Sequence, residues 1–104
     1  MQKLSMTAAL EKVNAAYGKP IRQSSTSYVA YVPYDISNDR SPSTEIRHDS
    51  YWKILCSLRY RKAIDALELM GLTAGFSDHD AEQLAWSGGM TVREIVKKLA
   101  AERK

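Results

Sequence analysis

The stretch from 51 to 70, YWKILCSLRYRKAIDALELM, constrains the fold most, because it is the longest strongly apolar segment of the chain. It contains no proline or glycine, and Asp49 or Ser50 can cap its start. The pattern therefore predicts a long helix that ends near Gly71. A helix of this length, apolar on more than one side, indicates a central scaffold against which other elements pack.

The apolar stripe of this helix drifts around its axis when each residue is given about 100° of rotation. Tyr51 and Trp52 fall largely within the stripe, so we expect them to serve the core. Arg59 and Lys62 also fall within it. Either their stems lie along apolar surface while their charges reach water, or the helix bends near them. The absence of proline and glycine favours the first explanation.

The rest of the chain predicts a small α+β fold. Residues 6–17 carry an amphipathic helix that Ser5 or Thr7 can cap and that Gly18, in a left-handed conformation, can end. Residues 26–32 alternate as a β-strand, with weaker strands at 21–24 and 44–47 and a loop at 36–43. We expect one domain over residues 1–104 with an N-terminal helix, an antiparallel sheet of two or three strands within 21–48, and three helices at about 50–70, 78–87 and 91–104.

The last two helices have clear starting signals. Acidic residues at 78–82 suit a helix N-terminus, and Thr91 with Glu94 matches a capping box. Glu94 and Lys98 are placed for an ion pair one helical turn apart. Two short helices joined at Gly88 and Gly89 have the lengths of a helix-turn-helix, but Lys98 falls where that motif needs an apolar residue, so we expect a plain helical hairpin.

Several classes of function are disfavoured by composition. The single Cys56 excludes an internal disulfide and a cysteine-rich zinc site, and it is expected to be buried in a reducing, cytoplasmic setting. The pairs His48–Asp49 and Asp78–His79–Asp80 do not provide a metal site or an oriented catalytic histidine. We therefore expect no catalytic residue, metal, cofactor or small-molecule substrate. The N-terminus does not resemble a signal peptide, and no segment is long enough to cross a membrane.

The charge of the chain is unevenly distributed. Residues 1–62 hold ten Lys and Arg against five acids, whereas residues 63–104 hold five against seven. The basic part ends in a run of cations and tyrosine on the long helix, which is the combination that contacts phosphates and unstacked bases. The nucleic-acid-binding candidates are Lys53, Arg59, Tyr60, Arg61 and Lys62. The expected function is non-enzymatic binding or regulation through this helix face.

The alternative is a protein–protein interaction module, such as an adaptor, an inhibitor, or a phage- or plasmid-type antagonist of a host complex. The chain has six tyrosines, and Tyr, Trp and Arg are the residues that anchor protein interfaces. The partner would be a second copy or a foreign chain, bound at an edge strand or at the acidic segment 65–82. The interface candidates are Tyr28, Tyr31, Tyr34, Asp65 and Glu68.

Overall fold

A computed structural model describes residues 3–72 and 78–102, without the side chain of Asp78. The order of its elements is the α+β order that the sequence predicts: one helix, a three-stranded antiparallel sheet and further helices. The elements are α1 (Met6–Ala16), β1 (Arg22–Gln23), β2 (Tyr28–Pro33), β3 (Ser43–His48), α2 (Tyr51–Leu69), α3 (Asp78–Trp86) and α4 (Val92–Ala101). Among these helices, none is long and apolar enough to cross a membrane.

The sheet has the order β1-β2-β3, with β2 in the middle. Ala30 lies opposite Ile46 in β3, and both residues are buried. Since side chains alternate along a strand, Ala30 and Val32 share one face, and both belong to the hydrophobic core. This face packs against α2. The weak strand signal at 21–24 corresponds to β1, which pairs with β2 over two residues.

The connection between β2 and β3 is closed by short-range hydrogen bonds. The Tyr34 amide donates to the Pro42 carbonyl, at 3.0 Å, where the two strands part. Within the loop, the Asp35 carboxylate accepts from the amide and the hydroxyl of Ser37. Ile36 is buried and belongs to the core. The segment that composition identifies as a loop is therefore anchored by an apolar side chain as well as by turn hydrogen bonds.

Helix α2 is the central element, since it contacts α1, α3, α4, β2 and β3. The Ser50 hydroxyl caps it by accepting from the Lys53 amide at 3.1 Å. The helix runs without interruption past Arg59 and Lys62, and both side chains are half-buried. The helix is therefore not broken near these residues, and the partial burial of both side chains agrees with stems that lie along apolar surface.

The expectation that Tyr51 and Trp52 serve the core is wrong. Their exposed fractions are 51% and 50%. Over the first two turns of α2 the buried residues are Ile54, Cys56 and Ser57. The sector that these three span is centred on the side of the helix axis opposite the direction between Tyr51 and Trp52. The buried side changes in the second half of the helix, where α1 packs against it, so a stripe averaged over the whole helix misassigns its first residues.

Two further local expectations are also wrong. Gly18 does not take a left-handed conformation, whereas Gly71, at φ 76°, and Gly89, at φ 61°, do. Glu94 does not pair with Lys98, because its carboxylate accepts from the Thr91 amide and hydroxyl in the predicted capping box. Lys98 instead lies 3.5 Å from a Glu102 carboxylate oxygen.

Candidate binding surfaces on helix α2

Three cations of α2 contact aromatic rings. The Arg59 guanidinium carbon lies 5.5 Å from the Trp52 ring centroid, and that of Arg61 lies 5.8 Å from the Tyr60 centroid. The Lys62 ammonium nitrogen lies 5.7 Å from the ring centroid of Tyr17, which follows α1. Such contacts attract a cation to the negative face of the ring. They hold positive charge next to flat apolar surface along the middle of the helix.

The five nucleic-acid-binding candidates do not form one face. Arg59 and Arg61 are separated by about 200° around the helix axis, and they contact different rings. Two surfaces result. We call the first the Trp52 surface; it consists of Tyr51, Trp52 and Arg59. We call the second the Tyr60 cleft; its lining is Tyr17, Pro33, Tyr34, Tyr60, Arg61, Ile64 and Asp65.

Lys53 is partly neutralised by its neighbour. Its ammonium nitrogen lies 2.9 Å from an Asp49 carboxylate oxygen, one helical turn away. The hydrogen bond and the charge of Lys53 lower the pKa of Asp49 below its ordinary value. Both side chains are largely exposed, so a phosphate would compete with Asp49 for Lys53. Lys53 is therefore a weaker anion contact than a cation whose neighbours are rings.

The Trp52 surface presents two large half-exposed side chains at the start of α2. The Tyr51 ring meets the Tyr28 ring edge to face, with centroids 5.6 Å apart and an interplanar angle of 70°. Trp52 and Arg59 lie about two turns apart, so the guanidinium can cover one face of the indole. The surface combines aromatic area with one cation, which is the composition of an interface anchor.

The Tyr60 cleft lies where the end of β2 meets α2 and the end of α1. Its volume is about 140 Å³. Tyr34, at the exit of β2, is 78% exposed and stands at its rim. The cleft thus brings three tyrosines from separate parts of the chain to one arginine.

A hydrogen bond closes one side of the cleft. The Tyr17 hydroxyl donates to the Asp65 carboxylate and joins the end of α1 to α2. Burial, and secondarily the negative charge of Asp65, raise the pKa of Tyr17 well above its ordinary value. Burial also lowers the pKa of Lys62. The tyrosine therefore stays protonated at neutral pH and remains a donor to Asp65.

Arg61 is held in an unusual state on the cleft wall. Its Nε atom is buried and has no hydrogen-bond partner among the residues that the structure describes. A buried polar group without a partner costs about 1–3 kcal/mol, and more when the group is charged. Native structures contain few such groups, and each calls for an explanation.

The protein-interface candidates are dispersed. Tyr28 and Tyr31 lie on opposite faces of β2, since they are three residues apart. Lys19 lies over the Tyr31 ring at 5.7 Å from its centroid. Asp65 lies inside the Tyr60 cleft, while Glu68 is half-buried one turn further along α2. Of these five candidates, Tyr28 is the one that touches the Trp52 surface.

A larger hollow, of about 350 Å³, lies between α1 and the β2–β3 loop. Lys12 faces it and lies 3.4 Å from an Asp39 carboxylate oxygen. The hollow also contains Asp35, whose pKa is lowered by its hydrogen bonds with Ser37. With its cation paired and two carboxylates present, it is a poorer site for an anion than the Tyr60 cleft.

The residues considered for chemistry lie apart from these surfaces. Cys56 is buried, its Sγ lies 3.7 Å from the Ala85 carbonyl oxygen, and burial raises its pKa. A thiol in this state is a packing residue and a poor nucleophile. Within residues 3–72 and 78–102, no group of three or more His, Cys, Asp or Glu side chains could hold a metal ion. The side chain of Asp78, from the motif at 78–80, lies outside the described residues.

Comparison with known proteins found no matching family model, no matching curated protein and no matching solved structure.

The pattern of the sequence missed two features of these surfaces. The sequence predicts Tyr34 as an interface candidate together with Tyr28 and Tyr31, but it does not indicate that Tyr34 lies with Tyr60 and Arg61. It also does not indicate the contact of the Tyr17 hydroxyl with Asp65, which spans 48 positions. The seven-residue spacing of Trp52 and Arg59 is the one local signal that indicates their contact.

Proposed function

We propose that this protein is a non-enzymatic binding protein that contacts nucleic acid through the cation–ring pairs of α2. The observation that carries the proposal is that Arg59, Arg61 and Lys62 each lie against an aromatic ring. Nucleic acids present phosphates, which attract cations, and bases, which stack on aromatic and guanidinium planes. The excess of positive charge in residues 1–62 supports the same partner.

Fluorescence anisotropy with labelled single- and double-stranded DNA and RNA tests this proposal. Binding should weaken steeply with salt, because each neutralised phosphate releases counterions. The slope of log K against log salt should be about −0.7 per contact for single strands and about −0.9 for B-DNA. Absence of binding to all four nucleic acids at low salt would overturn the proposal.

Matched variants separate a specific surface from general positive charge. Arg59→Gln and Arg61→Gln each remove one charge from α2, and Arg93→Gln removes one from an exposed position in α4. Loss of a phosphate contact should make the salt slope shallower by about 0.7–0.9. We expect this change for at least one α2 variant and not for Arg93→Gln. Equal effects of all three would point to diffuse attraction instead.

A second candidate function, a protein–protein interaction module, is supported by the Trp52 surface. Half-exposed Tyr51 and Trp52 beside Arg59 form an anchor of the kind that dominates protein interfaces. Sedimentation over a range of concentrations would detect a homodimer, and pull-down would detect a foreign partner. We expect Trp52→Ala to weaken such a complex and Arg93→Ala to leave it unchanged. A monomer at all concentrations that captures no protein would contradict this function.

A further inference from the structure

We propose that the Tyr60 cleft holds one unpaired nucleotide, so that the target is single-stranded rather than duplex nucleic acid. The inference rests on the proposed function and makes it more specific. The base would stack on the ring of Tyr34, and a backbone phosphate would lie against Arg61.

The size of the cleft favours a single planar group. Pockets for drug-sized ligands begin at about 300 Å³, and the Tyr60 cleft measures about 140 Å³. Tyr34 is exposed at its rim, so one side of its ring is available to a base. Bases inside a duplex are stacked on each other, whereas those of a single strand can be splayed out onto aromatic side chains.

The charge in the cleft is placed for a phosphate near Arg61. The guanidinium is held against the Tyr60 ring, and its Nε is already out of water without a partner in the described part of the chain. A phosphate oxygen that accepted from this guanidinium would balance its charge beside the Tyr60 ring. Arginine pairs with phosphate oxygens through two parallel hydrogen bonds, which lysine cannot form.

Asp65 also lines the cleft, one helical turn from Arg61. Its carboxylate repels a phosphate, but it accepts from the Tyr17 hydroxyl, which offsets part of its charge. We place the phosphate against the Arg61 guanidinium and the base against the ring of Tyr34. Lys62 lies over the other ring of this region, that of Tyr17, and adds positive charge next to the cleft.

The test compares binding of a labelled ten-nucleotide single strand with binding of a duplex of the same sequence, at low salt. We expect the single strand to bind at least about ten-fold more tightly. Tyr34→Ala should weaken its binding about 5- to 150-fold, the range for loss of one base–ring stack. Tyr34→Phe keeps the ring and should change binding less than about two-fold on that basis.

Tyr51→Ala tests the competing Trp52 surface. It removes an exposed tyrosine there and should weaken single-strand binding less than Tyr34→Ala does, since that ring takes no part in the proposed stack. The variant Tyr34→Ala should remain folded, because Tyr34 is 78% exposed; circular dichroism checks this before binding is measured.

The outcomes separate the inference from the function on which it rests. If the single strand and the duplex bind equally and Tyr34→Ala binds as tightly as the wild type, the proposal that the cleft holds a nucleotide is overturned. The proposed function would then still stand. Binding that Tyr51→Ala weakens and Tyr34→Ala does not would also overturn it, because it would place the strand on the Trp52 surface. Tyr34→Phe binding as poorly as Tyr34→Ala would overturn stacking. No binding of either strand form would overturn both proposals.

Discussion

At the scale of single residues, the contact between Tyr17 and Asp65 has the clearest energetic role. It joins the end of α1 to α2 through a hydrogen bond to a carboxylate in a partly buried place. Hydrogen bonds to charged groups contribute more than neutral ones, and a buried acceptor that loses its donor is penalised. The contact therefore stabilises the fold and shapes the Tyr60 cleft at the same time.

Replacing Tyr17 by phenylalanine should lower the free energy of unfolding by about 1–3 kcal/mol, because the Asp65 carboxylate loses a donor while the ring is kept. Urea denaturation followed by circular dichroism measures the change. The control is Tyr34→Phe, which removes a hydroxyl from an exposed ring and should cost less than about 0.5 kcal/mol. Equal costs for the two variants would show that the Asp65 contact does not stabilise the fold.

The same hydrogen bond predicts a pH dependence of stability. The pKa of Tyr17 is raised in the folded protein above its ordinary value of 10.0. Above about pH 10 the unfolded chain loses this proton while the folded protein keeps it, so the free energy of unfolding falls as pH rises. The stability advantage of the wild type over Tyr17→Phe should be constant up to about pH 9. This difference in the free energy of unfolding should be smaller at pH 11 than at pH 8. An equal difference at the two pH values would contradict a raised pKa of Tyr17 in the folded protein.

The backbone conformation of single glycines and the partners of single charged side chains were the least predictable from the sequence. Gly18 and Gly71 both follow helices, yet Gly71 alone of the two has a left-handed backbone. The conformation depends on where the chain must go next, and composition does not contain that information. The Glu94 carboxylate is close in sequence to both Thr91 and Lys98, and it forms the capping box with Thr91 rather than an ion pair with Lys98. Competition between local partners is resolved by geometry.

At the scale of elements, helix α4 is the best example of local signals that agree with the fold. Thr91 and Glu94 form both hydrogen bonds of the capping box, and Ile95, Val96 and Leu99 form its buried stripe. The signals are local to a few positions, so the sequence predicted them correctly. Helix α2 is the opposite case. Its buried side changes along its length because different elements pack against its two halves.

Thr91→Ala should lower the free energy of unfolding by about 1 kcal/mol. The Thr91 hydroxyl accepts from the Glu94 amide, and this amide, in the first turn of α4, loses that acceptor in the variant. Urea denaturation gives the value. Lys98→Ala serves as the comparison, because it breaks an exposed ion pair with Glu102 on the same helix and should cost less than about 0.5 kcal/mol. A cost for Lys98→Ala as large as that for Thr91→Ala would be inconsistent with the capping role.

At the scale of the whole molecule, the fold was predictable and the binding surfaces were not. Hydrophobic periodicity and turn residues indicate element types, and those depend on near neighbours in the chain. The Tyr60 cleft instead joins Tyr17, Tyr34 and Arg61 from three elements or their ends. No spacing rule brings these together. The separation of the candidate cations around α2 follows from helical spacing. The contributions of Tyr17 and Tyr34 to the cleft follow from packing.

The uneven charge of the chain predicts where a polyanion touches it. Adding a short single-stranded oligonucleotide at low salt should shift amide NMR signals around Tyr34 and in the middle of α2. Signals in the first turn of α3, where Asp80 and Glu82 lie, should change least, because acidic side chains repel phosphate. The largest shifts in α3 would contradict the proposed orientation.

The central position of α2 also determines which parts of the protein can unfold locally. Helices α1, α3 and α4 and strands β2 and β3 all pack against α2. None of these elements can detach without exposing part of α2, and α2 itself cannot open while they stay in place. Amide hydrogens in the middle of α2 should therefore exchange with solvent only through global unfolding, while those near the ends of α1 and α4 exchange through smaller openings. Arg59, Tyr60 and Arg61 would then be carried by the slowest-exchanging part of the protein, and a ligand would meet these side chains on a preformed helix.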